Sequence, residues 1–268
     1  MAERGRSAFE SLFNDDHMRI SDNVVKNTVS PVTHGITIKR TGMKLSALNC
    51  SSARKISCPG IKLGPGNECT LHQLAPYIGK LRPNIIRELI LSYTQPKDTI
   101  LDPFAGAGTV SVESLILGRN AIANDINPYA ITLINAKLFP PDSLEEALNK
   151  AYYYLDLINL KSNIYSISKM PIWVKSFFHP TTLKEIFILS KLLIKNREYF
   201  LLACLLGILH HQRIGFLSYP SSHLVPYLRT KKFPREEFPN LYTYREVGPR
   251  FINKIERAFK RFSNYDPT

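Results

Sequence analysis

The stretch that most constrains this chain is a short apolar run, Thr99-Ile100-Leu101, that stops at Asp102-Pro103 and passes through Ala105-Gly106-Ala107-Gly108 into a periodic segment, Thr109 to Leu117, closed by Gly118. Strand, glycine turn, helix and glycine cap follow in direct succession. Ala121 to Ala123 adds a second short strand that runs into Asn124-Asp125, and Pro128 to Leu138 reads as the next helix. Segment 98–138 is therefore a β-α-β-α unit, and a helix between two strands implies that they pair in parallel. A glycine turn in this position lets backbone N–H groups approach a ligand closely. An acid about 20 residues later, at the end of the next strand, can accept hydrogen bonds from ribose hydroxyls. Here the turn is Asp102-Pro103-Phe104-Ala105-Gly106-Ala107-Gly108-Thr109 and the acid is Asp125. A bare Gly-x-Gly also serves as an ordinary tight turn; the full octet is far more specific.

The remainder divides into an N-terminal arm with loops (1–70), a cofactor-binding core (71–140) and a helical, basic region (141–268). Residues 1 to about 45 are polar, with one candidate strand at Val32–Ile38, and the Pro-Gly and Gly-Pro-Gly steps between Lys44 and Thr70 predict loops with no regular element. Arg82 to Tyr93 carries Ile85, Ile86, Leu89, Ile90 and Leu91 behind Pro83, a helix laid on a core. Ser143-Leu-Glu-Glu146 and Thr182-Leu-Lys-Glu185 are capping-box patterns that open helices over 144–160 and 183–195, and Tyr199 to Gln212 supplies another. The apolar helix around Leu202 to Leu209 calls for a surface to cover it. No further buried strand is legible. That gap matters, because two parallel strands leave outer backbone groups unpaired and do not make an independently stable sheet.

Composition narrows the functional class. Lys and Arg number 35 against 22 Asp and Glu, a formal charge of +13, which favours a polyanionic partner. The C-terminal stretch concentrates that charge in Arg229, Lys231, Lys232, Arg235, Arg245, Arg250, Lys254 and their neighbours, interleaved with aromatics. Arg229, Lys231, Lys232 and Arg235 are the candidate DNA phosphate contacts. Phe251, Ile255 and Phe259 recur at helical intervals and read as packing residues instead. The four cysteines, Cys50, Cys58, Cys69 and Cys204, form neither a disulfide framework nor a C-x2-C zinc pattern, so no metal is expected. Residues 1–20 lack the apolar core of a signal peptide and the longest apolar run, Tyr199 to Leu209, is too short to span a bilayer. A cytoplasmic, nucleic-acid-associated protein with no membrane contact is the expectation.

Leu101-Asp-Pro-Phe-Ala-Gly-Ala-Gly-Thr109 resembles the first motif of S-adenosylmethionine-dependent amino-methyltransferases acting on DNA, and Asn124-Asp-Ile-Asn-Pro128 resembles their second. His72-Gln-Leu-Ala-Pro-Tyr-Ile-Gly-Lys-Leu-Arg-Pro83 is similar to the segment those enzymes place before the first motif, around the methionine end of the cofactor. Leu217 to Tyr227 resembles, less specifically, a stretch that in one branch precedes the catalytic motif. The resemblance implies an α/β, Rossmann-like class I methyltransferase fold with S-adenosylmethionine as cofactor. It implies that Asp102 to Thr109 line the methionine and sugar, that Asp125 holds the ribose diol with Asn127 beside it, and that Ile126 packs on the adenine. Tyr77 and Lys80 become candidates near the cofactor carboxylate, although Lys80 reads equally well as a solvated surface charge. Glu113, one turn into the helix after the glycine loop, reads as a helix-dipole residue.

One departure from the family stands out. In that family the flipped base is held by a Ser, Asn or Asp followed by Pro-Pro and an aromatic ring, and no such tetrapeptide occurs in this chain. Pro140-Pro141 is flanked by Phe139 and Asp142 in the wrong order and marks a helix start; Asn127-Pro128-Tyr129 also initiates a helix; Ser218-Tyr219-Pro220-Ser221 lacks the second proline and the ring. The missing motif and the missing strands point together to an incomplete fold: the cofactor-binding half of a split enzyme of restriction-modification type, with catalytic residues on a partner chain in a heterodimer. An RNA amino-methyltransferase, or a non-catalytic cofactor-binding or DNA-docking regulatory subunit, are the rival readings.

Overall fold

The computed structural model describes residues 47–49, 69–161, 163–210, 216–219 and 233–260. Its centre is a three-stranded sheet in the order β1-β3-β2, with β1 at Ala47–Asn49, β2 at Thr99–Asp102 and β3 at Asn120–Asn124. β2 and β3 run parallel, pairing Thr99 with Asn120 and Asp102 with Ala123, as a crossover through an intervening helix requires. β1 runs antiparallel to β3, with Ala47 opposite Asn124. It lies in a segment the Pro/Gly pattern marks as loop without regular structure. Its three residues are too short for a periodic signal, and pairing with β3 decides their conformation. The candidate strand at Val32–Ile38 lies outside the described residues.

The helices are α1 (Pro83–Tyr93), α2 (Thr109–Ile116), α3 (Pro128–Leu138), α4 (Leu144–Lys161), α5 (Ile172–Lys175), α6 (Pro180–Lys195), α7 (Tyr199–Leu206) and α8 (Val247–Phe259), with 3-10 turns at Thr70–Gln73 and Pro239–Tyr242. Gly118, in the left-handed region at φ 73°, ends α2 as its sequence position suggests. The Ser143 cap forms: Ser143 Oγ accepts from the Glu146 N–H at 3.0 Å, while the Glu146 carboxylate accepts from the Asp142 N–H at 2.8 Å. The second box does not. α6 begins earlier, at Pro180, capped by His179, and Thr182 is instead bonded in both directions to the Arg245 backbone, at 2.8 and 3.0 Å. A proline in the first turn sets the helix start before the Thr182 hydroxyl is reached.

One face of the sheet is covered. Ala121 and Ala123 of β3 pack with Ala105, Val112 of α2, and Ile134 and Leu138 of α3 in a dry cluster. α2 also touches α1 on one side and α3 on the other. α3 carries the packing onward to α7, which α6 and α8 enclose in turn. Every residue from Phe200 to Leu206 is buried, so the apolar helix finds its cover within this chain rather than on a partner. Gly207 explains how closely it is held: a Cβ there would stand 2.0 Å from the Leu74 carbonyl oxygen. Phe251, Ile255 and Phe259 are buried on α8, as their spacing predicts. The helix over 83–93 behaves differently. It buries Ile86 and Ile90 but leaves Ile85, Leu89 and Leu91 about half exposed, so only one of its two apolar stripes meets a core.

Candidate cofactor site

The glycine turn joins the C-terminal end of β2 to the N-terminus of α2. Gly106 and Gly108 adopt φ values of 48° and 72°, the left-handed region that favours glycine. A Cβ on Gly106 would lie 3.1 Å from the Tyr77 ring, and one on Gly108 3.1 Å from Ile134, so the loop is pressed between the upstream segment and α3. Backbone bonds lock it to the neighbouring strand: the Ala105 N–H donates to the Asn124 carbonyl at 2.8 Å and the Asn124 side-chain amide donates to the Pro103 carbonyl at 3.1 Å.

Asp125 ties the two strand ends together. One carboxylate oxygen accepts from the Gly106 N–H at 2.7 Å and the other from the Asn127 N–H at 2.8 Å. A carboxylate has about four acceptor positions, so capacity for hydroxyl donors remains. Asn127 caps α3 by accepting from the Tyr129 N–H at 2.9 Å, which is the helix-initiating role its sequence context suggests. Tyr77 stacks on Tyr129 with ring centroids 5.8 Å apart, and its hydroxyl is shifted to higher pKa, first by burial and then by the Asp125 charge. Asp102 accepts from the Phe104 N–H at 3.2 Å and is also raised above the ordinary carboxylate value, mainly by burial. Tyr77, Gly106, Asp125 and Asn127 therefore converge. Phe104 (88% exposed) and Ile126 (67% exposed) stand uncovered at the ends of the same two strands, while Ala105, Ala107, Gly108 and Thr109 are buried beneath the turn. Lys80 turns elsewhere: its ammonium donates to the His72 carbonyl at 2.7 Å.

Two buried groups beneath the loop carry weight that the sequence reading missed. Glu113 is fully buried and binds three groups: Arg87 Nε at 2.8 Å, Arg87 Nη2 at 2.7 Å and His72 Nε2 at 2.8 Å. It is thus an internal anchor joining the upstream segment, α1 and α2, and not a helix-dipole residue. Burial holds the His72 imidazole below its ordinary pKa despite the Glu113 bond, and its Nδ1 has no hydrogen-bond partner among the described residues. Lys137 on α3 is also buried and donates to the Ala107 carbonyl of the glycine turn; burial, then the nearby Lys80 charge, bring its pKa down to about 7. The available signal was a charge on an apolar helix face, Glu113 beside Val112 and Lys137 between Ile134 and Leu138.

On the helical side, Arg245 is buried and donates to the carbonyls of Phe216 and Ser218, while Lys254 reaches the Gln73 carbonyl at 2.7 Å. These two cations serve the fold and are withdrawn from the basic face. Arg235 is exposed, with its guanidinium 4.8 Å from the Tyr242 ring centroid. Arg229, Lys231 and Lys232 lie outside the described residues. No helix among the described residues is long and apolar enough to cross a membrane.

A glycine turn between parallel strands with a carboxylate at the end of the second is the arrangement in which open α/β sheets commonly hold nucleotide-type cofactors. Residues 73–136, which contain that unit, match the family model described as DNA methylase. The chain is 34% identical over 68 residues to the type II methyltransferase M.MjaII of Methanocaldococcus jannaschii, covering 25% of this chain and 13% of that protein. It is 32% identical over 132 residues to M.MvaI of Kocuria varians (47% and 28%), and 34% identical over 84 residues to M.BsoBI of Geobacillus stearothermophilus (31% and 16%). Through this segment the chain is similar to DNA methylases. The matches span less than a third of each of these relatives, and no solved structure matches the chain.

Proposed function

We propose that this chain is the cofactor-binding component of an S-adenosylmethionine-dependent DNA amino-methyltransferase whose base pocket is carried by a second polypeptide. The observation that carries the reading is the convergence of Tyr77, Gly106 and Asp125 beside the uncovered Phe104 and Ile126, within the segment that matches the family. These residues fit the cofactor: the turn holds Gly106 at positive φ with a Cβ position 3.1 Å from the Tyr77 ring, Asp125 retains acceptor capacity for a ribose diol, and Ile126 offers an apolar face for adenine. Asp102 to Thr109 then line the methionine and sugar, with Tyr77 toward the carboxylate, while Lys80 is held on the His72 carbonyl. Bound S-adenosylmethionine supplies the methyl group that an exocyclic nitrogen of flipped cytosine (N4) or adenine (N6) attacks. Lys137 and the Glu113 anchor keep the turn in place from below. Absence of the Pro-Pro-aromatic tetrapeptide supports a catalytic motif on the partner of a heterodimer. Arg229, Lys231, Lys232 and the exposed Arg235 are the proposed phosphate contacts, and the proposed location is the cytoplasm of a prokaryote, where a DNA substrate is at hand.

Asp125→Ala is expected to weaken S-adenosylmethionine binding by roughly 1.5–3 kcal/mol in calorimetry, through loss of charge-assisted hydrogen bonds. In a tritiated-methyl assay the chain alone is expected to be silent and the complex with its partner active on DNA. Unchanged affinity removes Asp125 from the site. Cofactor binding without turnover by the complete complex selects the regulatory-subunit reading, and transfer to RNA in place of DNA selects the other rival.

A further inference from the structure

A chain of contacts around the glycine turn closes into a ring, and one side chain closes it. The Gly106 N–H donates to one oxygen of Asp125 at 2.7 Å, and the other oxygen accepts from the Asn127 N–H at 2.8 Å. Asn127 Oδ1 accepts in turn from the Tyr129 N–H at 2.9 Å, which fixes Tyr129 in the first turn of α3. The Tyr129 phenol then reaches back to the upstream segment. Its hydroxyl donates to the Pro76 carbonyl, and its ring stacks on Tyr77 with centroids 5.8 Å apart and planes inclined by 22°. Tyr77 completes the circuit, since its ring lies 3.1 Å from where a Gly106 Cβ would stand. The residues that follow Tyr77 offer it little support. Ile78 is 99% exposed, a Cβ on Gly79 would meet nothing within 4 Å, and the Lys80 ammonium is held by the His72 carbonyl of the same segment. Fixing a side chain at the start of such a loop costs conformational entropy, so a ring kept in one place needs contacts that outweigh the cost. Tyr129 supplies two of them from a packed helix.

We infer that Tyr129 is a positioning residue of the cofactor site: by stacking on Tyr77 and holding the Pro76 carbonyl, it keeps the Tyr77 ring against the glycine turn and so sets the affinity for the amino-acid end of the cofactor. This rests on the cofactor reading, in which Tyr77 lies toward the methionine carboxylate. Helix initiation does not account for a tyrosine here. Asn127 and Pro128 already start α3, and the cap uses only the backbone N–H of residue 129, which every residue but proline provides. A phenol meets both upstream demands at once, with a ring for an aromatic face and a hydroxyl at its tip for a carbonyl beyond it. Phenylalanine keeps the first and loses the second; an aliphatic residue loses both. The nucleoside end is held by other means. Asp125 and the exposed Ile126 stand just beyond β3, and the Asp125 bonds to Gly106 and Asn127 do not pass through the Tyr129 side chain. Loss of the phenol is therefore felt where Tyr77 acts and not at the ribose.

The test is calorimetry on the full chain with two probes, S-adenosylmethionine and methylthioadenosine, the second of which keeps the nucleoside and the sulfur but lacks the amino-acid end. Tyr129→Leu is expected to weaken S-adenosylmethionine at least about tenfold, through loss of a ring pair and a hydrogen bond, and Tyr129→Phe about threefold, through loss of the bond alone. Both variants are expected to bind methylthioadenosine within about twofold of the parent, because contacts that share no partner act independently. In a Tyr77→Ala background, Tyr129→Leu is expected to add no further loss, since the residue through which it acts is gone. Urea unfolding of Tyr129→Phe is expected to keep the parent's midpoint, so this milder variant carries the test even where Tyr129→Leu is destabilised. S-adenosylmethionine affinity unchanged in Tyr129→Phe, an equal loss for both probes, or a full additional loss on top of Tyr77→Ala overturns the positioning role while leaving the cofactor reading intact. A parent chain that does not bind S-adenosylmethionine overturns the cofactor reading, and this role with it.

Discussion

Helices α7 and α1 differ both in how much of their surface is apolar and in what surrounds it. In α7, every residue from Phe200 to Leu206 is buried between α3, α6 and α8, and Gly207 brings the helix end against the Leu74 carbonyl. In α1, which packs on α2, Ile86 and Ile90 are buried while Ile85, Leu89 and Leu91 stay about half exposed. A helix that is apolar all round is driven inside by whatever partners the chain offers. One with two apolar stripes can satisfy the first and leave the second for another surface. Among the described residues, the helical side thus covers its own apolar surface, and the strand-edge side does not.

The sharpest way to break this contrast is to uncouple the covered side from within. Glu113→Ala leaves Arg87 buried without its carboxylate and is expected to cost about 3–5 kcal/mol in urea unfolding. A loss below about 1 kcal/mol would show that Arg87 reaches water and that the layer beneath the glycine turn is not dry. Leu205→Ala is expected to cost about 2–5 kcal/mol by the same measurement, since a fully enclosed site cannot collapse around the cavity.

Lys137 gives the covered side a pH signature. Its pKa lies near 7 when folded against an ordinary 10.5, so between those values the unfolded chain binds more protons and stability rises with pH. Below about 7 the cost of burying the ammonium is present in full; above about 10.5 it is gone. Thermal unfolding across this window is expected to show a slope of at most ~1.4 kcal/mol per pH unit from this group. Lys137→Met should remove that contribution; an unchanged profile would mean the ammonium is solvated. The smallest effect is expected on the open side. Leu89→Ala in the lone chain should stay within about 0.5 kcal/mol of the parent, and a loss above 2 kcal/mol would mean that α1 is already covered.

The candidate site was largely readable before folding was considered. Thr99–Asp102, the turn at 102–109, the helix after it and Asp125 all lie within one local β-α-β unit, and the turn needs glycines for reasons of φ alone. β1 was not readable, because three residues carry no period and acquire their conformation from β3. Nor were the roles of Glu113, Lys137 and Arg245, whose partners stand 26 or more positions away along the chain. The same holds for Thr182, whose capping pattern was outweighed by Pro180 and by the Arg245 backbone.

By itself, the sequence determined the local order of strand, glycine turn and helix, the acid that follows, and the absence of a base-holding tetrapeptide. These depend on residue type and spacing within a few turns of chain. The tertiary structure alone decided which apolar surfaces are used up inside the chain and which remain open. Burial is a property of what distant segments bring to a face: α3, α6 and α8 come to α7, and among the described residues no strand comes to the outer edge of β2.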